Sequence, residues 1–181
     1  MAIEFEKIED SKNIPLIIKD LYLSSFPVEE RRPWEDIVGR IDSGDRIFNF
    51  YVLKHKNETV GFATLWNLPM ALYCEHFAIL PSLRGAGLGA EAVKEMIEFA
   101  SRTAPAKPLV LEVELPETSP EAERRVRFYE RCGLTAHEDF PYWQPPYRQD
   151  LPEVPMMLMS SGEIPDRTAF VLILHTVVYN Q

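Results

Sequence analysis

The sequence predicts a mixed α/β domain, and three observations predict it. Three apolar runs, Ile47 to Lys54, Thr59 to Leu68 and Leu72 to Leu80, read as strands joined by short turns, as in a meander. A helix, a strand and a second helix follow: Leu88, Ala92, Val93, Met96, Ile97 and Ala100 share one helical face, Leu109 to Leu115 is a short Val/Leu-rich strand, and Glu121 to Cys132 is again helical. Finally, 181 residues with 46% hydrophobic content suffice for one good core, so a single domain over residues 1–181 is expected. A meander feeding a βαβα unit gives a mixed sheet in an α+β or α/β domain.

The remaining elements follow in order. Ile3 to Ile8 alternates, with Ile3, Phe5 and Lys7 on one side and Glu4, Glu6 and Ile8 on the other, which predicts a strand. Ile14, Ile17, Ile18, Leu21 and Tyr22 fall on one helical face. Pro33 suits a first helical position, where its missing N–H costs nothing, and Trp34, Ile37, Val38 and Ile41 then recur at helical spacing. Ser43-Gly44-Asp45 is a turn, and Lys56-Asn57-Glu58 is a hairpin-type turn. In the Glu121–Cys132 helix, Val126, Tyr129 and Cys132 take one side while Arg124, Arg127 and Glu130 face water. Gly133 stands where a helix-ending residue belongs. Phe140 to Pro155 is rich in proline and aromatics and reads as an ordered loop or irregular strand pair; Val154 to Ser160 reads as a strand. Phe170 to Tyr179 has β-branched residues that favour strand, but its length and the Asp166-Arg167-Thr168 lead favour helix, which is the expectation.

Composition excludes several functions. Net charge is −9 with no basic stripe, which argues against nucleic acid as a partner. The same charge gives a mildly attractive field for a cationic substrate, although excess acid is also ordinary solvated surface. No apolar run is long enough to span a bilayer, and Met1-Ala2-Ile3-Glu4-Phe5-Glu6 lacks the basic-then-apolar layout of a secretion signal. A cytoplasmic protein without membrane partners is expected. Cys74 and Cys132 have no metal-ligand spacing; buried, reduced thiols are expected rather than a disulfide, and no metal.

Arg84-Gly85-Ala86-Gly87-Leu88-Gly89 carries the most chemistry. A strand that ends in a glycine turn and then starts a helix leaves backbone N–H groups unpaired and pointing one way, where the helix dipole adds partial positive charge. Glycines let the backbone approach an anion and adopt positive φ, and Arg84 adds a charge-assisted contact. A pyrophosphate-bearing cofactor is the hypothesis.

This layout and motif resemble the GCN5-related N-acetyltransferase (GNAT) superfamily. Its cofactor motif, Arg/Gln-x-x-Gly-x-Gly/Ala, lies between the fourth strand and the following helix, and Arg84 to Gly89 matches it in full. Glu75-His76-Phe77-Ala78-Ile79-Leu80-Pro81 looks like the strand leading into that turn. Phe128-Tyr129-Glu130-Arg131-Cys132-Gly133-Leu134 is similar to the family's helix-ending Tyr-Glu-Lys-x-Gly-Phe pattern. The resemblance runs from Ile3 to Leu134, with one departure: Ala122 and Arg125 stand where many members have Asn and Ala, the Asn usually supplying a cofactor contact. It implies a GNAT-like acyl-CoA N-acyltransferase fold, a central mixed, mostly antiparallel sheet flanked by helices. The implied activity is N-acetyl transfer from acetyl-CoA to a primary amine, small or peptide-borne, by direct transfer in a ternary complex. A homodimer is compatible with it.

Amide formation from a thioester requires the amine to lose a proton and the leaving thiolate to gain one. An alkyl ammonium has a pKa near ~10.4, so a base or a proton-carrying water chain helps at neutral pH. The resemblance makes a carboxylate on the fourth strand a base, often through water, and Glu75 is the candidate; in a regular strand it shares a face with Tyr73, Phe77 and Ile79. A salt-bridged or solvated Glu is the competing reading. His76 points to the opposite face of a regular strand and reads as packed. The resemblance places a tyrosine hydroxyl near the cofactor sulfur, so Tyr129 is the candidate acid; periodicity equally allows a core tyrosine. Arg84 and the amides of Gly85, Ala86, Gly87, Leu88 and Gly89 would hold the pyrophosphate, and the main chain of Phe77 and Ile79 would pair with the pantetheine arm if strands four and five splay. Arg124 and Arg125 either reach the adenine-side phosphate or sit on a solvated face. Tyr142, Trp143 and Tyr147 lie where the family builds its acceptor site, and either cradle an ammonium or pack the loop onto the core.

Two alternatives compete. Gly85-Ala86-Gly87-x-x-Ala90 satisfies a dinucleotide-binding fingerprint, with Glu112 at a tolerable distance. Against it, Pro81-Ser82-Leu83-Arg84 separates strand from glycines, and too little chain follows for a second nucleotide-binding half. The other is an acyl-CoA-binding regulatory module without turnover, suggested by Ala122 and Arg125.

Overall fold

The computed structural model describes residues 3–103 and 105–180; Met1 and Ala2, which belong to the N-terminal segment read above, lie outside them. Among the described residues eight strands form one sheet, in the order β1-β2-β3-β4-β5-β8-β6, with β7 also on β8. Antiparallel β1 (Glu4–Ile8), β2 (Phe48–His55), β3 (Glu58–Asn67) and β4 (Leu72–Ile79) make the meander. β4 and β5 (Leu109–Glu114) run parallel, and β5 pairs antiparallel with β8 (Val154–Ser160). The outer edge of β8 carries β6 (Thr135–Ala136) and β7 (Tyr142–Gln144). The mixed, mostly antiparallel sheet expected from the sequence is therefore present, and the Phe140–Pro155 stretch contributes to a strand pair.

Each turn follows its sequence signal. Lys56 and Asn57 both have positive φ, 53° and 66°, the backbone a two-residue hairpin needs between right-twisted strands. Gly133, at φ +99°, ends α4 (Pro120–Arg131), and the Gly133 and Leu134 amides cap the helix on the carbonyls of Glu130 and Tyr129.

Helices cover both faces. Under α1 (Leu16–Ser25), α2 (Trp34–Asp42) and the C-terminal α5 (Arg167–Ile173) lies one core, built from Ile18, Tyr22, Ile37, Phe50, Phe62 and Phe170. Under α3 (Leu88–Ser101) and α4 lies the other, with Leu65, Ala92, Met96, Leu111 and Met159. Two helix expectations shift slightly. Ile17, placed on the inner face of α1, is 50% exposed, because Ile18, Leu21 and Tyr22 already fill that face. Pro33 caps α2 instead of occupying its first turn. The Phe170–Tyr179 segment is helical as expected, but widens into a π-helical turn over Leu174–Val178. Both cysteines are buried free thiols.

Two irregularities position the site. β4 and β5 pair only at Leu72/Leu109, Tyr73/Val110 and Cys74/Leu111, so the strands diverge at the next residues, Glu75 and Glu112. The sheet forks there. Within β4, Thr64 of β3 faces His76 while Leu65 faces Cys74, leaving Glu75 as an inserted bulge residue. The Thr64 hydroxyl accepts from the His76 amide at 3.0 Å and pins the bulge.

Candidate active site

At the end of β4 the chain makes a tight turn over Pro81–Leu83 and enters the glycine motif. Gly85 and Gly87 both sit at φ +83°, a conformation that costs an L-residue about 1–2 kcal/mol. Gly87 caps α3, and the first bond into that helix runs from the Glu91 amide to the Gly87 carbonyl at 3.1 Å. Among the described residues, the amides from Gly85 to Ala90 donate to no backbone carbonyl of the turn. That is a cup of polarised N–H groups at a helix start, the arrangement that receives phosphate oxygens. Arg84 is held beside it by its Nε, which donates to the Ile79 carbonyl at 3.1 Å.

The fork opens onto this cup. A cleft of about 710 Å³ is lined by Arg84, Gly85 and Gly87, by Phe77 and Ile79, and by Tyr129 and Glu112. The structure thus brings Glu75, Phe77, Ile79, Arg84, Gly85, Gly87, Gly89 and Tyr129 to one cleft. Ala86 and Leu88 do not line it; the Leu88 side chain is buried in the α3 core. Arg125 borders the cleft and pairs with Glu114 at 2.7 Å, whereas Arg124 pairs with Glu121 on the exposed face. Tyr142 is buried, Tyr147 packs against the α1–α2 core, and Trp143 is half exposed.

Glu75 is not where a regular strand would put it. The bulge turns both Glu75 and His76 to the α1–α2 side with Tyr73, while Phe77 and Ile79 face the α3–α4 core. The expected face-sharing of Glu75 with Phe77 and Ile79, and the opposed His76, are therefore corrected: one extra residue resets the alternation. The Glu75 carboxylate has no exposed surface and lies 2.8 Å from the Arg32 guanidinium. It accepts Arg32 Nε at 2.9 Å, Trp66 Nε1 at 2.8 Å and the Tyr147 hydroxyl at 2.9 Å. Burial alone would raise its pKa, but Arg32 and the neighbouring His76 outweigh burial and hold it well below the usual carboxylate range. Arg32 also donates to the Val178 carbonyl at 2.5 Å, and its own carbonyl accepts the Tyr22 hydroxyl at 2.7 Å. The Arg32–Glu75 pair thus fastens the α1–α2 loop to the sheet and to the C-terminal segment. His76 is packed, as expected, with Nε2 3.0 Å from the Glu30 carbonyl.

Tyr129 is 8% exposed and lines the cleft next to Cys74. Burial, then the nearby Cys74, raise its pKa, so it stays protonated at neutral pH. The sequence offers Glu112 only as the acid of the dinucleotide-binding alternative and does not assign it to a transferase site. Glu112 lines the cleft on β5 and accepts hydroxyls from Tyr142 and, at 2.9 Å, Tyr179. Burial pushes its pKa up to about 7 against the pull of those hydroxyls. The signal was an acid alternating inward with Val110 inside Leu109-Val110-Leu111-Glu112-Val113. Glu30, from the α1–α2 loop, also lines the cleft, and burial plus repulsion from Glu114 push its pKa up to about 7.

Among the described residues no group of three or more His, Cys, Asp or Glu side chains could hold a metal ion, and no helix is long and apolar enough to cross a membrane. The forked sheet, the glycine turn and the tyrosine helix together define an acyl-CoA-type transferase architecture. The chain belongs to the acetyltransferase (GNAT) family, whose pattern matches residues 16–134. A GNAT-family protein from Bacteroides thetaiotaomicron is 33% identical and superposes with a TM-score of 0.87, over 98% of this chain and 99% of that one. A GNAT acetyltransferase from Elizabethkingia anophelis with acetyl-CoA bound shares the fold at 17% identity and a TM-score of 0.58, over 90% of this chain and 99% of that one. A variant of spermidine N-acetyltransferase from Vibrio cholerae shares it at 13% identity and a TM-score of 0.65, over 92% and 98%. No curated protein matches the chain.

Proposed function

We propose that the protein, acting as one domain over residues 1–181 in the cytoplasm, transfers the acetyl group of acetyl-CoA to a primary amine by direct transfer in a ternary complex. The observation that carries this reading is the fork between β4 and β5, opening onto the unpaired amides of Gly85 to Ala90. In this reading those amides and Arg84 hold the pyrophosphate, and the free stretch of β4 at Phe77 and Ile79 takes the pantetheine arm. Ala86 and Leu88 contribute main chain only. Tyr129 gives its proton to the departing sulfur, a role supported by its place in the cleft, and its raised pKa keeps the hydroxyl protonated until the sulfur leaves. Glu30 and Glu112, both in the cleft lining, favour an acceptor that arrives as a cation. Glu75, expected as base, is better suited to anchoring Arg32, since its carboxylate is buried and ion-paired.

Two variants test the reading. Wild-type protein should be stabilised by acetyl-CoA by about 2.7 kcal/mol at a hundredfold excess over Kd, and not by NAD. Arg84→Glu should lose that stabilisation in a thermal-shift titration; unchanged binding would remove the phosphate assignment. Tyr129→Phe should cut turnover about 100-fold while sparing acetyl-CoA affinity. Equal turnover would take Tyr129 out of the mechanism, and binding without any thiol release would leave the regulatory-module reading.

A further inference from the structure

Glu112 is the one acid in the apolar run Leu109 to Val113, and it stands one residue past the last β4–β5 pair, where the fork begins. It lines the same cleft as Phe77 and Tyr129. Tyr142 from β7 and Tyr179 from the end of the C-terminal segment donate their hydroxyls to it, and Tyr73 from β4 stands behind them with its hydroxyl 3.2 Å from that of Tyr179. Each of these groups is a neutral hydroxyl, and none is a cation. An ionised carboxylate offers about four acceptor positions, so the two donated hydroxyls hold its plane and leave acceptor capacity on a residue that lines the cleft. Glu75, on the neighbouring strand, is the opposite case: a guanidinium, an indole and a hydroxyl occupy it, and its side chain meets no solvent.

We infer that Glu112 is the catalytic base of this protein, taking the proton from the acceptor ammonium in the cleft; the inference rests on the amine-acetylating reading given above. The groups facing it are Tyr73, Tyr142, Tyr147 and Tyr179, with Glu75 the nearby charge. With its pKa pushed up to about 7 by burial, Glu112 is mostly ionised just above neutrality yet basic enough to accept a proton. The ammonium gives one proton to a Glu112 oxygen, and the freed nitrogen lone pair attacks the thioester carbon. The C–N bond forms and the C–S bond breaks, with the electron pair going to sulfur, which takes the Tyr129 proton. The surplus proton on nitrogen restores Tyr129, and Glu112 returns its proton to water, so one proton is released per turnover.

The test uses the full chain with acetyl-CoA and butylamine, phenethylamine or spermidine as acceptor, read by thiol release, beside carboxyl carbon NMR of glutamate-labelled protein. A carboxyl resonance should titrate near pH 7 and vanish in Glu112→Gln. Tyr179→Phe, which removes a donor to the charged form, should move that titration upward. Glu112→Gln should lower kcat/KM at pH 7.5 at least about 100-fold, and the deficit should shrink as pH approaches the amine's own pKa of ~10.4. Its acetyl-CoA affinity should stay within about twofold. A Glu112 carboxyl titrating at its ordinary value, or a Glu112→Gln variant as fast as wild type, overturns the assignment while leaving the acetyltransferase reading intact. Wild type that neither binds nor consumes acetyl-CoA overturns both.

Discussion

Glu75 and Glu112 stand side by side at the fork, yet their surroundings drive their protons in opposite directions. Arg32 holds Glu75 ionised, while burial without a cation keeps Glu112 near neutrality in its proton affinity. Removing one partner of a buried ion pair leaves an uncompensated charge, so Glu75→Gln should destabilise the fold by about 3 kcal/mol in urea unfolding at pH 7. The folded pKa of Glu75 is depressed, so its contribution is present above the ordinary value of 4.5 and fades as pH falls through the folded value. The gap between wild type and Glu75→Gln should therefore narrow below about pH 4.5; a constant gap would show that the ion pair is not its source. Sequence placed Glu75 correctly on β4 and could not assign its role, because the partner that decides it is Arg32, distant in the chain. Glu112 was legible as an acid inside a strand. Its environment was not, since Tyr142 and Tyr179 approach from segments with no local link to β5.

Periodicity read the elements well wherever one face is buried. The predicted face of α3, Leu88 through Ala100, is the buried face apart from half-buried Ile97, and the glycine motif falls at its cap. Register was illegible at the β4 bulge, because an inserted residue changes no composition and is fixed only by what β3 places opposite. The cap of α3 makes its own prediction. Gly87→Ala forces an L-residue to φ +83°, with open space around the new methyl, so any loss comes from the backbone alone. A stability loss of about 1–2 kcal/mol should accompany a weaker grip on acetyl-CoA, measured by denaturant unfolding and calorimetry. Unchanged affinity would mean that the amides of this turn are not the phosphate contact.

Across the whole molecule the helices divide the sheet into two cores, and the C-terminal segment closes the one that carries the acids. Leu174 and Val178 are fully buried, the Val178 carbonyl holds Arg32, and Tyr179 reaches Glu112. Deleting residues 174–181 should cost on the order of 5 kcal/mol in buried apolar surface alone, and cooperative unfolding should be lost. A truncated chain that unfolds like wild type would place the C-terminal segment outside the folded unit. Composition pointed to a single core-forming domain, but nothing local in the sequence tied the last helix to the α1–α2 loop.

The family pattern ends at residue 134, and Tyr142, Gln144, Met156, Val178 and Tyr179 all come after it. The grip on acetyl-CoA proposed here is thus written in one stretch of chain, and much of the opposite jaw in another. Selection, or a protein engineer exchanging the tail between relatives, could retune which amine is accepted without rewriting the handle that holds the donor.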